Sequence, residues 1–154
     1  MALDGSLWWV ERANNRVDVD ISNLNTSKQI ALAKAKKVKD QSNIHPSAKN
    51  YDSIVLECQT KKHHIRIHAL KEDKVKYFSW KKDQSISSAP EIALTGIVRT
   101  AGSMHNSTYY FKNGSFVYEI MEGFQEDNPE VYPILTITKN GQEITREFCQ
   151  EISL

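Results

Sequence analysis

Residues 107–121 read STYYFKNGSFVYEIM, and this stretch decides the fold. Two runs rich in aromatic and β-branched residues flank the pair Asn113-Gly114. Asn-Gly is the preferred pair in a type I′ hairpin turn, because both central residues of that turn need a positive φ. That turn predicts the cross-strand pairs Phe111–Phe116 and Tyr109–Tyr118. The stretch therefore predicts a β-hairpin with one aromatic face that belongs in a core.

The same pattern extends over most of the chain. A second pair, Asn140-Gly141, also separates two strand-like runs. The eight runs of this kind are Ser53–Thr60, His63–Leu70, Lys74–Trp80, Glu91–Arg99, Ser107–Lys112, Ser115–Met121, Val131–Lys139 and Gln142–Gln150. Short runs with turn signals between them are typical of antiparallel sheets. We expect a mainly β fold, an antiparallel β-barrel or β-sandwich of about eight strands.

The amino-terminal part of the chain has a different character. Residues 7–10 form an apolar strand-like run, residues 16–21 alternate apolar and acidic side chains, and turn residues lie between them, which predicts a hairpin over residues 7–21. The stretch Lys28–Gln41 consists mostly of helix-forming residues and follows Thr26 and Ser27, either of which can cap a helix. We therefore predict one N-terminal α-helix within an appendage of residues 1–50, followed by an antiparallel β domain of residues 51–154. We expect the two to form one compact unit.

Composition limits the class of protein. The chain has 154 residues, of which 40% are hydrophobic and 25% charged, as in ordinary globular domains. No apolar run approaches the ~20 residues of a membrane span. The first six residues lack the basic start and the apolar stretch of an export signal. Either the protein is cytoplasmic, or the chain begins at the terminus left after export.

Cys58 and Cys149 are the two cysteines of the chain. They are either buried thiols or one long-range disulfide, which would close a loop of about 90 residues and stabilise the fold by about 4–5 kcal/mol. A disulfide would indicate an exported protein. The predicted register of the last hairpin pairs Ile137 with Ile144 and Pro133 with Phe148, which places Cys149 on the face opposite Phe148. This argues against a disulfide in the core unless the strand bends.

The formal net charge of +1 hides a strong asymmetry. Residues 61–82 contain eight basic and two acidic residues, and residues 119–151 contain eight acidic and two basic residues. One interpretation is two solvated faces that attract each other within the fold. The other is a polar molecule that presents a basic face to an acidic partner.

Candidate partner-binding residues lie in the basic region and in the loop of residues 100–106. They are Lys61, Lys62, His64, Arg66, His68, Ser103 and His105. On a strand, His64, Arg66 and His68 share one face. Because Arg66 would repel a metal ion between the two histidines, we predict no metal site and no cofactor. The sequence also lacks a nucleophile elbow, a phosphate loop and a paired-carboxylate pattern, so we predict that the protein is not an enzyme.

Nucleic acid is the alternative partner. The segment 74–82 interleaves lysines with Tyr77, Phe78 and Trp80, as single-strand binders do, and an OB-like barrel could be built from such strands. However, the sequence pI of about 7.8 lies below the usual range of nucleic-acid-binding domains. Aromatic residues at period two are also typical of a core.

Four segments carry a resemblance to a known family. They are Leu56-Glu57-Cys58, Tyr77-Phe78-Ser79-Trp80, Tyr110–Tyr118 and Glu147-Phe148-Cys149. Together they resemble the membrane-bound or periplasmic C-type lysozyme inhibitors, which are small β-barrel proteins of the bacterial envelope. The resemblance implies a secreted β domain that binds a protein. That family inserts a Ser-Gly-containing loop followed by Arg-Tyr into lysozyme; here residues 101–104 lack the Arg-Tyr, so no inhibitory residue is carried over.

The sequence therefore predicts a non-catalytic bacterial envelope or secreted protein-binding domain, of the inhibitor or immunity kind. Its expected partner is another protein, and its expected location is periplasmic or secreted, with the cytoplasm as the alternative. An OB-like domain that binds single-stranded nucleic acid is the second hypothesis.

Overall fold

The computed structural model describes residues 26–101, 106–122 and 133–152, and the protein is mainly β. The chain divides into two compact units, residues 1–43 and residues 44–154. In the first unit a helix covers residues 26–43, which confirms the predicted helix and extends it by two residues at each end. The hairpin predicted for residues 7–21 lies outside the described residues. Residues 44–50, assigned from sequence to the appendage, are part of the second unit.

The second unit contains a short 3-10 helix, Pro46–Ala48, and then nine strands. The strands are β1 (Ser53–Gln59), β2 (His63–Ala69), β3 (Lys74–Lys81), β4 (Ile92–Ala101), β5 (Asn106–Asn113), β6 (Phe116–Glu122), β7 (Ile134–Lys139), β8 (Gln142–Phe148) and β9 (Gln150–Glu151). The first eight correspond to the eight predicted runs.

All strands form one antiparallel sheet in the order β8-β7-β6-β5-β4-β3-β2-β1-β9. Each of the first eight strands pairs with its neighbour in sequence, so the sheet is an up-and-down meander. The two-residue strand β9 follows β8 directly, yet it pairs with β1 at the other end of the order. This pairing rolls the sheet into a nearly closed barrel. The predicted fold class is confirmed, as a barrel rather than a sandwich.

Of the two alternatives for Cys58 and Cys149, the disulfide is confirmed, and it lies at the seam of the barrel. Cys58 is in β1, Cys149 lies between β8 and β9, and the two buried residues are bonded. The predicted register of the last hairpin is wrong, because an irregularity at Ile144 shifts the pairing by one residue beyond Thr138. A shift of one residue exchanges the two faces of a strand. As a result Phe148 points outward and is 67% exposed, whereas Cys149 points inward.

The hairpin of β5 and β6 has the predicted aromatic face but a different register. Its turn is formed by Gly114 and Ser115, so Phe111 pairs with Tyr118 rather than with Phe116. Gly114 has a φ of 60°, as the first central residue of a type II′ turn requires. The shift is two residues, so the same side chains still face inward. Within the barrel, Tyr77 packs between Phe111 and Tyr118, with ring centroids 5.3 and 5.6 Å away.

The turn between β7 and β8 is the predicted type I′ turn, since Asn140 and Gly141 both have positive φ. Glycine adopts a positive φ without steric cost, and asparagine does so more readily than most other residues.

A second, smaller core covers the outer face of β2 and β3. Ile44, Ala48 and Ile86 pack there against Phe78 and Trp80. The two covering segments, residues 44–51 and residues 82–91, are joined by a hydrogen bond from the backbone N–H of His45 to the carbonyl of Ile86, at 2.9 Å. We call these two segments the outer layer. Because of the outer layer, β2 and β3 are buried on both faces.

Candidate functional site

A cleft of about 710 Å³ opens at the end of the barrel where β1 turns into β2 and where β3 leads into β4. Its walls are the turn of residues 60–62 and the connection of residues 82–91. It is lined by Lys61, Lys62, His63, Lys81, Lys82, Asp83, Gln84 and Glu91. We call this the lysine cleft, because four lysines line it. It lies on neighbouring strands, since His63 of β2 pairs with Lys81 of β3.

Backbone hydrogen bonds fix the first wall of the lysine cleft. The hydroxyl of Thr60 accepts from the N–H groups of Lys62 and His63, at 3.3 and 3.0 Å. The N–H of Lys82 donates to the carbonyl of Lys62 at 2.8 Å, which ties the first wall to the second. The main chain of the lysines is therefore held in place, and their side chains are left to point outward.

Side chains fix the second wall. Gln84 accepts from the N–H of Lys81 and donates to the carbonyl of Ala89, both at 3.2 Å. The indole N–H of the fully buried Trp80 donates to the carbonyl of Ser88 at 2.9 Å. These contacts anchor the connection to the core, so the cleft is formed before any ligand arrives.

The charges of the lysine cleft are mostly unpaired. Lys81 Nζ lies 3.5 Å from one oxygen of Glu91, and His63 Nε2 lies 3.8 Å from the other. Lys61, Lys62 and Lys82 form no ion pair with any part of the chain that the structure describes. Like charges held close together in a concave surface raise the local positive potential. The cleft is therefore suited to an anionic group.

A buried charge cluster lies on β1 and β2, next to the cleft. His64 Nε2 and Arg66 Nε both donate to Glu57 Oε1, at 2.7 and 2.8 Å. The other oxygen, Glu57 Oε2, is buried with no hydrogen-bond partner among the described residues. Burial alone would raise the pKa of Glu57, but the hydrogen bonds and positive charges of His64 and Arg66 outweigh it and hold the pKa below its usual value.

The structure separates the predicted partner-binding residues into three groups. Lys61 and Lys62 line the lysine cleft. The second group, His64, Arg66 and His68, does share one strand face, but the outer layer covers that face. His64 is partly buried, and Arg66 and His68 are buried.

His68 packs between two aromatic rings of the second core, with its ring centroid 4.3 Å from that of Tyr51 and 5.0 Å from that of Phe78. Ser103 and His105, the third group, lie outside the described residues. A role in partner binding stays a prediction for all seven residues.

Sequence reasoning missed six members of the lysine cleft, namely His63, Lys81, Lys82, Asp83, Gln84 and Glu91. Strand pairing brings them together, and pairing was not predicted for β2 and β3. The short connections of residues 60–62 and 70–73 would have been the signal, because short connections join antiparallel neighbours. Within the described residues, no group of three His, Cys, Asp or Glu side chains is arranged to hold a metal ion.

A second polar site lies at the opposite end of the barrel. The hydroxyl of Tyr109 donates to Glu122 Oε2 at 2.9 Å. Burial raises the pKa of Glu122, and the nearby Glu151 raises it further, although the hydrogen bond from Tyr109 acts in the other direction. The pKa of Tyr109 is also raised, first by burial and then by the charge of Glu122. Because Tyr109 and Glu122 already bond each other, this pair is less available to a ligand than the lysines of the cleft.

Compared with protein-family models, with curated proteins and with solved structures, the chain matches none of them. Within the described residues, no helix combines the length and the apolar character that a membrane crossing requires.

Proposed function

We propose that this chain is a non-catalytic, extracytoplasmic binding domain that recognises an acidic surface of a partner protein through the lysine cleft. The observation that carries the proposal is the set of three lysines, Lys61, Lys62 and Lys82, that form no ion pair with the described residues and stand on walls fixed by hydrogen bonds. An acidic partner relieves the repulsion between these lysines when it binds.

The fixed walls favour binding in a second way. A partner that meets a cleft already in its bound form loses less conformational entropy than one that must order a loop. Clustered positive charge also attracts an acidic partner over a distance and accelerates the encounter. Both effects concern recognition, and neither requires a reaction.

The extracytoplasmic location rests on the disulfide between Cys58 and Cys149. Disulfides form and persist in oxidising compartments and are rare in the cytosol. The bond joins β1 to the carboxy-terminal strand at the seam, so it has a structural place in the fold.

The proposal is tested by titrating the full chain with an acetylated hexaglutamate peptide, followed by amide chemical shifts. We expect saturable binding that weakens with salt and shifts the signals of residues 60–63 and 81–84. The variant Lys62→Gln/Lys82→Gln should bind about fivefold more weakly, since each exposed ion pair contributes about 0.2–1 kcal/mol. The control Lys71→Gln/Lys74→Gln removes the same charge from the turn at the other end of β2 and should stay within about twofold. Absence of saturable binding, or an equal loss in the control, contradicts the proposal.

The resemblance to C-type lysozyme inhibitors suggests one class of target for the same domain, the C-type lysozymes. We expect the full chain to slow cell-wall hydrolysis by a C-type lysozyme at near-equimolar concentration if this is the target. An unchanged rate of hydrolysis removes the inhibitor role and leaves the acidic-partner proposal to the peptide titration.

Single-stranded nucleic acid is the alternative ligand of the cleft, because phosphates also bind to lysines. The rings of Tyr77, Phe78 and Trp80 are buried in the two cores, so they offer no platform for base stacking. An oligothymidylate that binds more tightly than hexaglutamate at equal salt would favour the alternative.

A further inference from the structure

The side chain of Glu91 lies in the lysine cleft between the ammonium group of Lys81 and the imidazole of His63. Its carboxylate lies 3.5 Å from Lys81 Nζ through one oxygen and 3.8 Å from His63 Nε2 through the other. Its main chain is fixed, because its N–H donates to the carbonyl of Ser79 at 2.8 Å. Only the side chain can therefore leave the place that it occupies.

Both contacts of Glu91 are weak. The distances of 3.5 and 3.8 Å are longer than those of ordinary hydrogen bonds. The side chain of Glu91 is 37% exposed and that of Lys81 is 74% exposed, so water and salt screen the attraction. By contrast, the buried Glu57 holds the imidazole of His64 and the guanidinium of Arg66 at 2.7 and 2.8 Å. Glu91 is placed as an exchangeable partner and Glu57 as a permanent one.

The single negative charge of Glu91 also does not balance the positive charges of the cleft. The cleft contains four lysines, and Asp83 is the other acid that lines it. One carboxylate placed between His63 and Lys81 leaves the remaining lysines unpaired. A ligand that brings several carboxylates can replace Glu91 and pair with those lysines as well.

We propose that Glu91 is a built-in competitor of the ligand: its carboxylate takes, in the free protein, the place between His63 and Lys81 that a carboxylate of an acidic polypeptide takes on binding. This inference rests on the proposed function and adds the chemical class of the ligand and a residue that sets its affinity. A competitor within the chain lowers the apparent affinity in proportion to the time it occupies the site. A ligand with one carboxylate gains little by replacing Glu91, whereas a ligand with several gains the unpaired lysines too.

The test compares two variants that remove the same charge from the same cleft. Glu91→Gln removes the competitor, and Asp83→Asn removes an acid that contacts no cation among the described residues. With acetylated hexaglutamate as the probe, Glu91→Gln should bind about threefold more tightly than the unchanged chain, and Asp83→Asn should differ by less than about twofold. Thermal unfolding should show that both variants fold.

A second measurement follows His63 directly. In the unchanged chain, the chemical shifts of the His63 imidazole should change as a carboxylate of hexaglutamate replaces that of Glu91. In free Glu91→Gln, those signals should already differ from those of the unchanged chain, while in Asp83→Asn they should not. These shifts report the exchange itself and not only the net charge.

The outcomes separate the two proposals. If neither the unchanged chain nor Glu91→Gln binds hexaglutamate, the proposed function and the inference both fail. If the unchanged chain binds and Glu91→Gln gains no more affinity than Asp83→Asn, the proposed function stands and the competitor role of Glu91 is wrong. Binding by Glu91→Gln where the unchanged chain shows none contradicts the proposed function, although it shows that Glu91 keeps the ligand out of the cleft.

Discussion

The outer face of the barrel wall differs between two halves of the sheet. In the first half, which contains β2, a second layer covers that face, and in the second half, which contains β8, the face is open. In β2, residues 65–68 are all buried, because the outer layer covers the face that the barrel interior does not. In β8, burial alternates, and the outward residues Ile144 and Phe148 are 53% and 67% exposed. The polar groups of the first half must therefore find partners inside the protein, while those of the second half are left to water. Coverage by a second layer, and not the position of a charge along a strand, therefore decides whether that charge is structural.

The disulfide joins these two halves, and its removal is the largest expected effect. Cys58 and Cys149 are 91 residues apart in sequence, and their bond holds β1 against the carboxy-terminal strand. Cys58→Ser/Cys149→Ser should lower the free energy of unfolding by about 4–5 kcal/mol in the chain-entropy model. Urea denaturation measures the change.

The control for the disulfide prediction is reduction of the unchanged chain. A reducing agent should reproduce the loss in the unchanged chain and have no effect on the double variant. A loss below about 1 kcal/mol would mean that strand pairing alone holds the two halves together.

The next effect compares the same residue type in the two halves. Phe78 is 1% exposed beneath the outer layer, and Phe148 is 67% exposed on β8. Phe78→Ala should cost about 3–5 kcal/mol of unfolding free energy, because it leaves a cavity in the second core. Phe148→Ala should change it by less than about 0.5 kcal/mol.

Urea denaturation of both phenylalanine variants measures this difference. Equal losses would show that the two halves are covered alike. A small loss for Phe78→Ala alone would show that the second core contributes little to stability.

The strands of the barrel could be predicted from the sequence, because period-two alternation is a local property. Their register could be predicted only in part. The turn at Asn140-Gly141 forms as expected, yet the irregularity at Ile144 has no local signal and moves Phe148 to the surface. The same irregularity turns Cys149 inward, so the disulfide lies in the core although a regular hairpin would place Cys149 on the outer face.

The candidate site was predictable to a smaller extent. Lys61 and Lys62 stand in a polar turn, so their exposure follows from the sequence. Arg66 and His68 look equally polar, but segments before and after them in the chain fold over their strand face. Burial of that kind depends on contacts between distant segments, which no local pattern encodes. Glu91 reaches the cleft for the same reason, through the pairing of strands.

The smallest effect compares two acids that both have a cationic partner. Glu57 is buried with His64 and Arg66, and Glu143 is exposed with Arg146 Nη1 3.7 Å away. Glu57→Gln should cost about 1–3 kcal/mol at neutral pH, because the buried guanidinium of Arg66 loses its counter-charge. Glu143→Gln should cost less than about 0.5 kcal/mol, as is usual for an exposed ion pair.

The pH dependence of unfolding shows whether the charge of Glu57 is the cause. The pKa of Glu57 is lowered in the folded protein, so its unfolded state binds a proton first as the pH falls. The stabilisation by Glu57 is therefore present above the usual carboxyl pKa and is lost as the pH falls through the lowered one. The unfolding free energies of the unchanged chain and of Glu57→Gln should converge in acid, whereas those of the unchanged chain and of Glu143→Gln should stay parallel. A difference for Glu57→Gln that persists at low pH would mean that packing, and not the buried charge, makes Glu57 a structural residue.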